Sequence, residues 1–210
     1  TPLVILSNID ADGEIVADDH RLNLVHKANS LWHSDSSFKP TPALASMLTA
    51  KTVPPEGGET EYAGMIAAWD DLPEHMQSKL EGRVALHHFA TSRDRITPQL
   101  MTKQEHDALP PVPQAMIRQI PETGKKALYV GSHAGAIVGM AEDEARALIA
   151  ELLDFATQAQ YVYTHSWQRH DAVLWDNRAV VHRGRPFSRD KYPRVMIRTT
   201  VAGDGPTVSD

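Results

Sequence analysis

Short segments of strand-like composition, spread over most of the sequence, constrain the possible fold of this chain more than any other feature. Strands are predicted where β-branched and aromatic residues cluster between turn residues. Many short strands with few helices favour a β-sandwich or a jelly roll. The predicted strands are Leu3–Leu6, Ala43–Leu48, Thr60–Tyr62, Arg83–His88, Ala127–Val130, Tyr161–Trp167, Ala172–Trp175, Val180–His182 and Val195–Val201.

Three segments have helical patterns instead. Met65–Asp71 is the first, and Pro73–Glu81 follows it, with a proline suited to a first helical turn and Gly82 as the C-terminal cap. Ala141–Gln158 begins with acidic residues and places its apolar residues on one side, which predicts an amphipathic helix packed against the sheets.

Two connections between these elements also lead to predictions. The strands Tyr161–Trp167 and Ala172–Trp175 are separated by a few turn residues, which favours an antiparallel hairpin. The segment Ser92–Pro113 has no clear periodicity and is predicted to be a loop long enough to cover the opening of a site.

Composition excludes several classes of protein. The 210 residues carry a net charge of −6 and no block of basic residues, so we expect no general attraction to nucleic acid or to an anionic membrane. No apolar run approaches the roughly 18 residues of a membrane span, and the expected location is the cytoplasm. No linker rich in Ser, Gly or Pro divides the chain, which predicts one domain over residues 1–210. A homo-oligomer is compatible with the sequence.

The absence of cysteine narrows the metal chemistry. Disulfides, thiolate zinc sites, iron–sulfur clusters and a cysteine nucleophile are all excluded, while 11 histidines remain. His33 and Asp35 stand two residues apart, so in an extended segment they face the same side and can bind one ion. His182, at the end of a predicted strand, completes a set of two histidines and one carboxylate, which suits Fe(II). The structural alternative is a hydrogen-bonded His33–Asp35 pair and an ordinary histidine at a strand end.

Side chains suited to anions occur near the last strand and at one turn. Arg194 and Arg198 flank three apolar residues of a predicted strand, so they share a face about 13 Å apart at ~3.3 Å per residue. Thr60 follows a Gly-Gly turn and has a hydroxyl free to donate to an anion. Taken alone, such arginines more often form a solvated charged face.

Five motifs together resemble one family of enzymes. In order and approximate spacing they are similar to the taurine dioxygenase and 2,4-dichlorophenoxyacetate dioxygenase family, which depends on Fe(II) and 2-oxoglutarate. The segments His20–Asn29 and Gly131–Ala134 look more like the phenoxyacetate branch, whereas Ile120-Pro121 departs from the His-Pro common in that branch. The motifs are His33-Ser34-Asp35, Gly57-Gly58-Glu59-Thr60, Trp175-Asp176-Asn177-Arg178, His182 and the pair Arg194 and Arg198.

The resemblance implies a fold and a metal site. The fold is a double-stranded β-helix, or jelly roll, with helices packed outside, and family members carry a further N-terminal portion that this chain lacks. His33, Asp35 and His182 would hold Fe(II), which leaves positions for 2-oxoglutarate and O2. The distal carboxylate of 2-oxoglutarate would lie on Arg194 and Thr60.

The resemblance also implies a small anionic substrate. Arg198 is the candidate for its anionic group, Asn29 and His133 would orient it, and Trp175 would form a wall of the metal site. An aryloxyalkanoate would be hydroxylated and cleaved to a phenol and an oxo acid, as in aromatic catabolism. Taurine or an alkylsulfonate is the rival substrate. A metal-dependent hydrolase and a non-catalytic jelly-roll binding module are the alternatives of other classes.

Overall fold

The computed structural model describes residues 3–17, 20–98 and 100–208, and this part of the chain is mainly β with shorter helical segments. The strands are β1 (Leu3–Ser7), β2 (Ala43–Thr52), β3 (Thr60–Gly64), β4 (Val84–His87), β5 (Val112–Ala115), β6 (Ile117–Gln119), β7 (Lys126–Leu128), β8 (Ala134–Ile137), β9 (Val162–His165), β10 (Ala172–Asp176), β11 (Val180–Gly184) and β12 (Val195–Ala202). The α-helices are α1 (Arg21–Lys27), α2 (Met65–Asp70), α3 (Glu74–Leu80), α4 (Phe89–Asp94), α5 (Lys103–Ala108) and α6 (Glu142–Ala156).

Two antiparallel sheets form the central part of the molecule. One has the strand order β1-β12-β2-β10 and the other has the order β11-β3-β9. Side chains of both sheets meet in one buried cluster, which shows that the sheets pack face to face. The buried members of this cluster are Leu48, Ala50, Tyr62, Trp175 and Met196.

Helices cover a second and larger core. The helix α6 buries Ala145, Leu148, Ile149 and Leu152 on one side, as its apolar pattern predicts. This side packs in one cluster with α2 and with the small sheets β5-β4-β8 and β6-β7. Among the described residues, no helix is both long and apolar enough to cross a membrane.

The three predicted helices are confirmed, with ends that shift by one or two residues. The predicted hairpin is wrong, although both of its strands form. The strand β9 pairs with β3 and β10 pairs with β2, so the connection between β9 and β10 crosses from one sheet to the other. Burial decides this pairing, because β2 runs for ten residues and gives β10 a partner that places Trp175 in the core.

The segment Ser92–Pro113 is not simply a loop. It contains the end of α4 and the whole of α5, which begins at a capping box formed by Thr102 and Glu105. The spacing Thr-x-x-Glu is a sequence signal for a helix start, and it could have identified α5 in advance.

Candidate active site

The two predicted histidine ligands are joined through their backbones. His33 N donates to His182 O over 3.0 Å, and His182 N donates to His33 O over 2.8 Å. This antiparallel bridge connects the segment after α1 to β11, and it brings the two imidazole centroids to 4.2 Å. His33 and His182, which are 149 residues apart in the sequence (182 − 33), therefore face one another.

Asp35 completes the group. Its Oδ1 lies 4.0 Å from His33 Nε2 and its Oδ2 lies 3.8 Å from His182 Nε2. One ligand atom from each of the three side chains lies within 4.8 Å of the others, and all three residues are buried. No other such group of metal-binding side chains occurs within residues 3–17, 20–98 and 100–208.

The charges of this group suit a divalent metal. Burial lowers the pKa of His33. Burial, and to a smaller extent the nearby His33, lowers the pKa of His182 to about 3. Burial opposes the charge on Asp35, but His182 and Arg198 outweigh it and hold the pKa of Asp35 below its usual range. Neutral imidazoles and an ionised carboxylate are the forms that bind metals, so no proton must leave at neutral pH.

Hydrogen bonds fix the direction of the metal-facing atoms of His33 and Asp35. His33 Nδ1 lies 2.7 Å from Leu31 O, which turns its Nε2 toward Asp35 and His182. Ser46 Oγ donates to Asp35 Oδ2 over 2.8 Å, and Arg198 Nη1 donates to Asp35 Oδ1 over 2.6 Å. The carboxylate is therefore held on both oxygens.

Asn177 is a residue of the site that sequence reasoning missed. Its side chain is fully buried, and its Oδ1 accepts hydrogen bonds from Asp35 N over 3.1 Å and from Trp175 Nε1 over 3.0 Å. Its Nδ2 donates to Ser46 Oγ over 2.9 Å. Asn177 belongs to the motif Trp175-Asp176-Asn177-Arg178, but the sequence gives it no role of its own.

Trp175 lies where a wall of the metal site is expected. Its ring centroid is 4.7 Å from that of His182 and 5.4 Å from that of Tyr62. The indole nitrogen is engaged with Asn177, and only 6 % of the residue is exposed. Trp175 thus excludes water from one side of His182.

A cavity of about 480 Å³ opens beside the metal-binding group. Its wall contains both metal-binding histidines and five other predicted site residues. The predicted residues in the wall are Asn29, Thr60, Trp175, Arg194 and Arg198. The cavity therefore joins both predicted anion sites to the metal-binding group.

Thr60 and Arg194 contribute to this cavity in complementary ways. Thr60 Oγ1 accepts a hydrogen bond of 2.9 Å from Trp167 Nε1, so its own hydroxyl hydrogen is left to donate elsewhere. Arg194 Nη2 donates to Gly58 O over 3.1 Å, while its buried Nε has no partner. Burial and the nearby Arg189 lower the pKa of Arg194 to about 10, which still leaves it charged at neutral pH.

The three predicted substrate contacts lie in different surroundings. Arg198 lines the cavity but is bonded to Asp35, and Asn29 also lines the cavity. His133 is adjacent to His33, with ring centroids 6.1 Å apart, but it is not in the cavity wall. Its Nδ1 lies 3.1 Å from Ser37 Oγ and its Nε2 lies 3.1 Å from Arg93 Nη1. The substrate roles of these residues stay predictions.

Comparison with known proteins agrees with this geometry. Residues 7–200 match the family described as taurine catabolism dioxygenase TauD, TfdA family. The chain belongs to this family. It is 44% identical over 199 residues to the alpha-ketoglutarate-dependent 2,4-dichlorophenoxyacetate dioxygenase of Cupriavidus pinatubonensis, and the match covers 95% of this chain and 69% of that protein.

Two further similarities extend the comparison. The (S)-phenoxypropionate/alpha-ketoglutarate-dioxygenase of Sphingobium herbicidovorans is 34% identical over 212 residues, which cover 96% of this chain and 73% of that protein. The crystal structure of AAD-2 in complex with Mn(II) and N-oxalylglycine superposes with a TM-score of 0.95 at 43% identity, covering 99% of this chain and 75% of that one. The predicted jelly roll with flanking helices is thereby confirmed, and the protein is a 2-oxoglutarate-dependent dioxygenase of the non-haem iron type.

Proposed function

We propose that this dioxygenase hydroxylates a small aryloxyalkanoate at the carbon next to the ether oxygen, with Fe(II) held by His33, Asp35 and His182. The observation that supports it most is the buried group of two histidines and one aspartate at the wall of a cavity that also contains Thr60 and Arg194. Relatives at 44% and 34% identity are named for 2,4-dichlorophenoxyacetate and phenoxypropionate, which supports the class of substrate.

The residues present fit Fe(II). Two neutral imidazole nitrogens and one carboxylate are suitable donors, and the hydrogen bond from the His33 ring to Leu31 leaves one nitrogen for the metal. When bound, Fe(II) supplies open positions for the co-substrate and O2. Arg198 and Ser46 keep Asp35 ionised and hold its carboxylate beside the two histidines, where the metal would bind.

The co-substrate is assigned to the Thr60 and Arg194 side of the cavity. Its distal carboxylate would accept hydrogen bonds from the Thr60 hydroxyl and from the guanidinium of Arg194, which has an unpaired Nε. Charge-assisted hydrogen bonds of this kind are about twice as strong as neutral ones, so they suit a dianion.

The overall reaction balances without a further oxidant. One oxygen atom of O2 enters succinate as 2-oxoglutarate loses carbon dioxide, and the other replaces a C–H bond of the substrate by C–OH. A hydroxyl on a carbon that also bears an ether oxygen gives a hemiacetal, which breaks into a phenol and an oxo acid. Arg198, with Asn29 and His133 nearby, is the predicted anchor of the substrate carboxylate.

Other functions receive less support. Taurine or an alkylsulfonate would also suit a guanidinium, but the relatives with the highest identity above are named for aryloxyalkanoates. A metal-dependent hydrolase would have no use for Thr60 and Arg194 as a second anion site, and a non-catalytic module would not need the metal-binding group. A cytoplasmic location, a homo-oligomer, the lack of nucleic-acid and membrane binding, and the single-domain organisation stay predictions.

Anaerobic addition of Fe(II) and 2-oxoglutarate tests the co-substrate site, because their chelate gives a weak visible charge-transfer band. Phenoxyacetate and taurine are then supplied in parallel with O2, and succinate, phenol and sulfite are measured. We expect succinate with an equal amount of phenol. Sulfite without phenol would contradict the aryloxyalkanoate assignment, and a missing band would contradict the co-substrate site.

A further inference from the structure

Arg93 is a buried arginine without an acidic partner. It lies near the end of α4 with 8 % of its surface exposed, and it forms no ion pair with any carboxylate of the described residues. Its Nη1 donates to Ser92 Oγ over 2.7 Å and to His133 Nε2 over 3.1 Å, while its buried Nε has no partner. A buried guanidinium is ordinarily paired with an anion, because an uncompensated charge away from water is costly.

The side chains that contact the Arg93 guanidinium directly are uncharged. Its guanidinium carbon lies 3.8 Å from the centroid of the Phe89 ring. Because a guanidinium can only donate, the His133 Nε2 that lies 3.1 Å from Arg93 Nη1 accepts this hydrogen bond. The protein thus holds the guanidinium in place with a serine, a histidine and an aromatic ring, and none of these contacts is an anion.

Arg93 also lies close to the metal-binding group. It contacts His133, whose ring is edge-on to that of His33 at 6.1 Å between centroids. Burial and then the positive charge of Arg198 lower the pKa of Arg93 to about 10, and Asp35 acts in the opposite direction, so all three charges act on one another. Arg93, on α4, is not among the residues that line the cavity, but it contacts His133, which packs on the cavity residue His33. Arg198, on β12, lines the cavity.

The surroundings favour the binding of an anion that also has an apolar part. Phe38 and Phe89 pack with their centroids 4.7 Å apart, and Phe38 lies 4.9 Å from His133. Both phenylalanines are partly exposed, and Phe89 lies against Arg93. Charge-assisted hydrogen bonds are stronger in such a low-dielectric environment than in water. Arg198 is less available for a ligand, since one of its terminal nitrogens is bonded to Asp35.

We propose that Arg93 binds the carboxylate of the primary substrate and shares this anion with Arg198. This assignment rests on the proposed function. It gives the buried charge of Arg93 its missing partner, and it makes Arg93 a residue that selects carboxylates over neutral aryl ethers. The His133 ring then acts as a positioning residue, because its hydrogen bond fixes one terminal nitrogen of Arg93.

The test compares a charged with an uncharged substrate. Phenoxyacetate and 2-phenoxyethanol are supplied to the unchanged protein and to Arg93→Gln, and phenol release is measured over a range of substrate concentrations. We expect Arg93→Gln to raise the KM for phenoxyacetate by about ten- to a hundred-fold and to leave the KM for 2-phenoxyethanol unchanged. The KM for 2-oxoglutarate should not change. Arg93→Lys should restore part of the preference for the carboxylate.

Arg95→Gln is the matched control, since Arg95 is an exposed arginine at the end of the same helix and its side chain donates to Ala134 O. An unaltered charge-transfer band in Arg93→Gln shows an intact metal centre, and if that variant does not fold, Arg93→Lys carries the comparison. An equal loss with both substrates, or no change with phenoxyacetate, would overturn the assignment. Absence of phenol from the unchanged protein would instead overturn the proposed function, and this assignment with it.

Discussion

The indole nitrogen of Trp167 donates a hydrogen bond of 2.9 Å to the hydroxyl oxygen of Thr60. A hydroxyl that accepts one hydrogen bond in a fixed direction has its hydrogen turned away from that donor. Thr60 lines the cavity, so Trp167 sets the direction in which Thr60 donates to a bound anion. Trp167 follows β9 and is only partly buried, and nothing in its sequence position distinguishes it from a surface aromatic residue.

Trp167→Phe should therefore raise the KM for 2-oxoglutarate and leave kcat nearly unchanged. A neutral hydrogen bond contributes on the order of 1 kcal/mol, which corresponds to a rise of about three- to ten-fold. Steady-state succinate formation measures both constants. Combining Trp167→Phe with Thr60→Val should add little to the effect of Thr60→Val alone. Tyr163→Phe, at an exposed position of β9, is the control, and additive effects of the pair would contradict this role.

Arg194→Gln should raise the KM for 2-oxoglutarate more strongly. A charge-assisted contact contributes on the order of 1.5–3 kcal/mol, which predicts about ten- to a hundred-fold. The intensity of the charge-transfer band at increasing 2-oxoglutarate gives the same constant without turnover. An unchanged half-saturation value in both measurements would contradict the assignment of Arg194.

Gly58 determines whether Arg194 can reach its position. Its φ of +72° is in the left-handed region, and a Cβ there would lie 3.1 Å from Pro54 Cγ and 3.2 Å from Arg194 Nε. Gly58→Ala should therefore displace Arg194 and raise the KM for 2-oxoglutarate as well as lower stability. Gly82→Ala is a matched control, because Gly82 has a φ of +70° and no atom within 4 Å of a Cβ. Equal KM values for 2-oxoglutarate in Gly58→Ala and Gly82→Ala would show that Gly58 affects the backbone conformation and not the position of Arg194.

The metal-binding group is largely predictable from sequence, because local geometry fixes half of it. A spacing of two residues places His33 and Asp35 on one side of an extended segment, and Trp175 and His182 lie near one another in the chain. The proximity of His182 to His33 depends on a backbone bridge between distant segments. The residue types and spacing alone did not decide whether His182 joins the other two ligands. The ordered motifs of the family resolved that choice.

Other parts depended on contacts that no local pattern contains. The partners of β9 and β10 followed from the buried face of Trp175 and from the length of β2, so a short connection gave the wrong pairing. The positions of Asn177 and Ser46 around Asp35 required three segments to meet. Arg93 lies in a stretch that was assigned to a loop, and its burial becomes evident only when α4 packs on His133.

Asp35→Ala should abolish turnover that depends on the metal. It removes the one carboxylate of the metal-binding group and leaves Arg198 without its partner, so we also expect a loss of stability of about 1–3 kcal/mol. Fe(II) titration followed by the charge-transfer band measures the first effect, and urea unfolding measures the second. Full consumption of 2-oxoglutarate by Asp35→Ala would contradict the assignment, while Asp143→Ala, at an exposed position of α6, should leave Fe(II) binding and turnover unchanged.

His87 should make the stability of the protein depend on pH. Its side chain is buried in β4, its ring stacks on Tyr129 at 5.8 Å, and neither ring nitrogen has a hydrogen-bond partner in the described part of the chain. Burial lowers the pKa of His87 to about 3. An unfolded histidine titrates near 6.5, so between these values only the unfolded chain binds a proton at this position. The free energy of unfolding therefore falls as the pH falls from about 6.5 toward 3.

His87→Phe keeps a ring that can stack on Tyr129 and removes this titration. Between pH 7 and pH 5, the contribution of one such histidine is about 2 kcal/mol, so the loss of stability over that interval should be smaller in the variant by this amount. Urea unfolding at the two pH values measures the difference. His75→Phe is the control, because His75 is exposed and its replacement should leave the pH dependence as it is. If His87→Phe loses as much stability on acidification as the unchanged protein does, the buried histidine is not the group responsible.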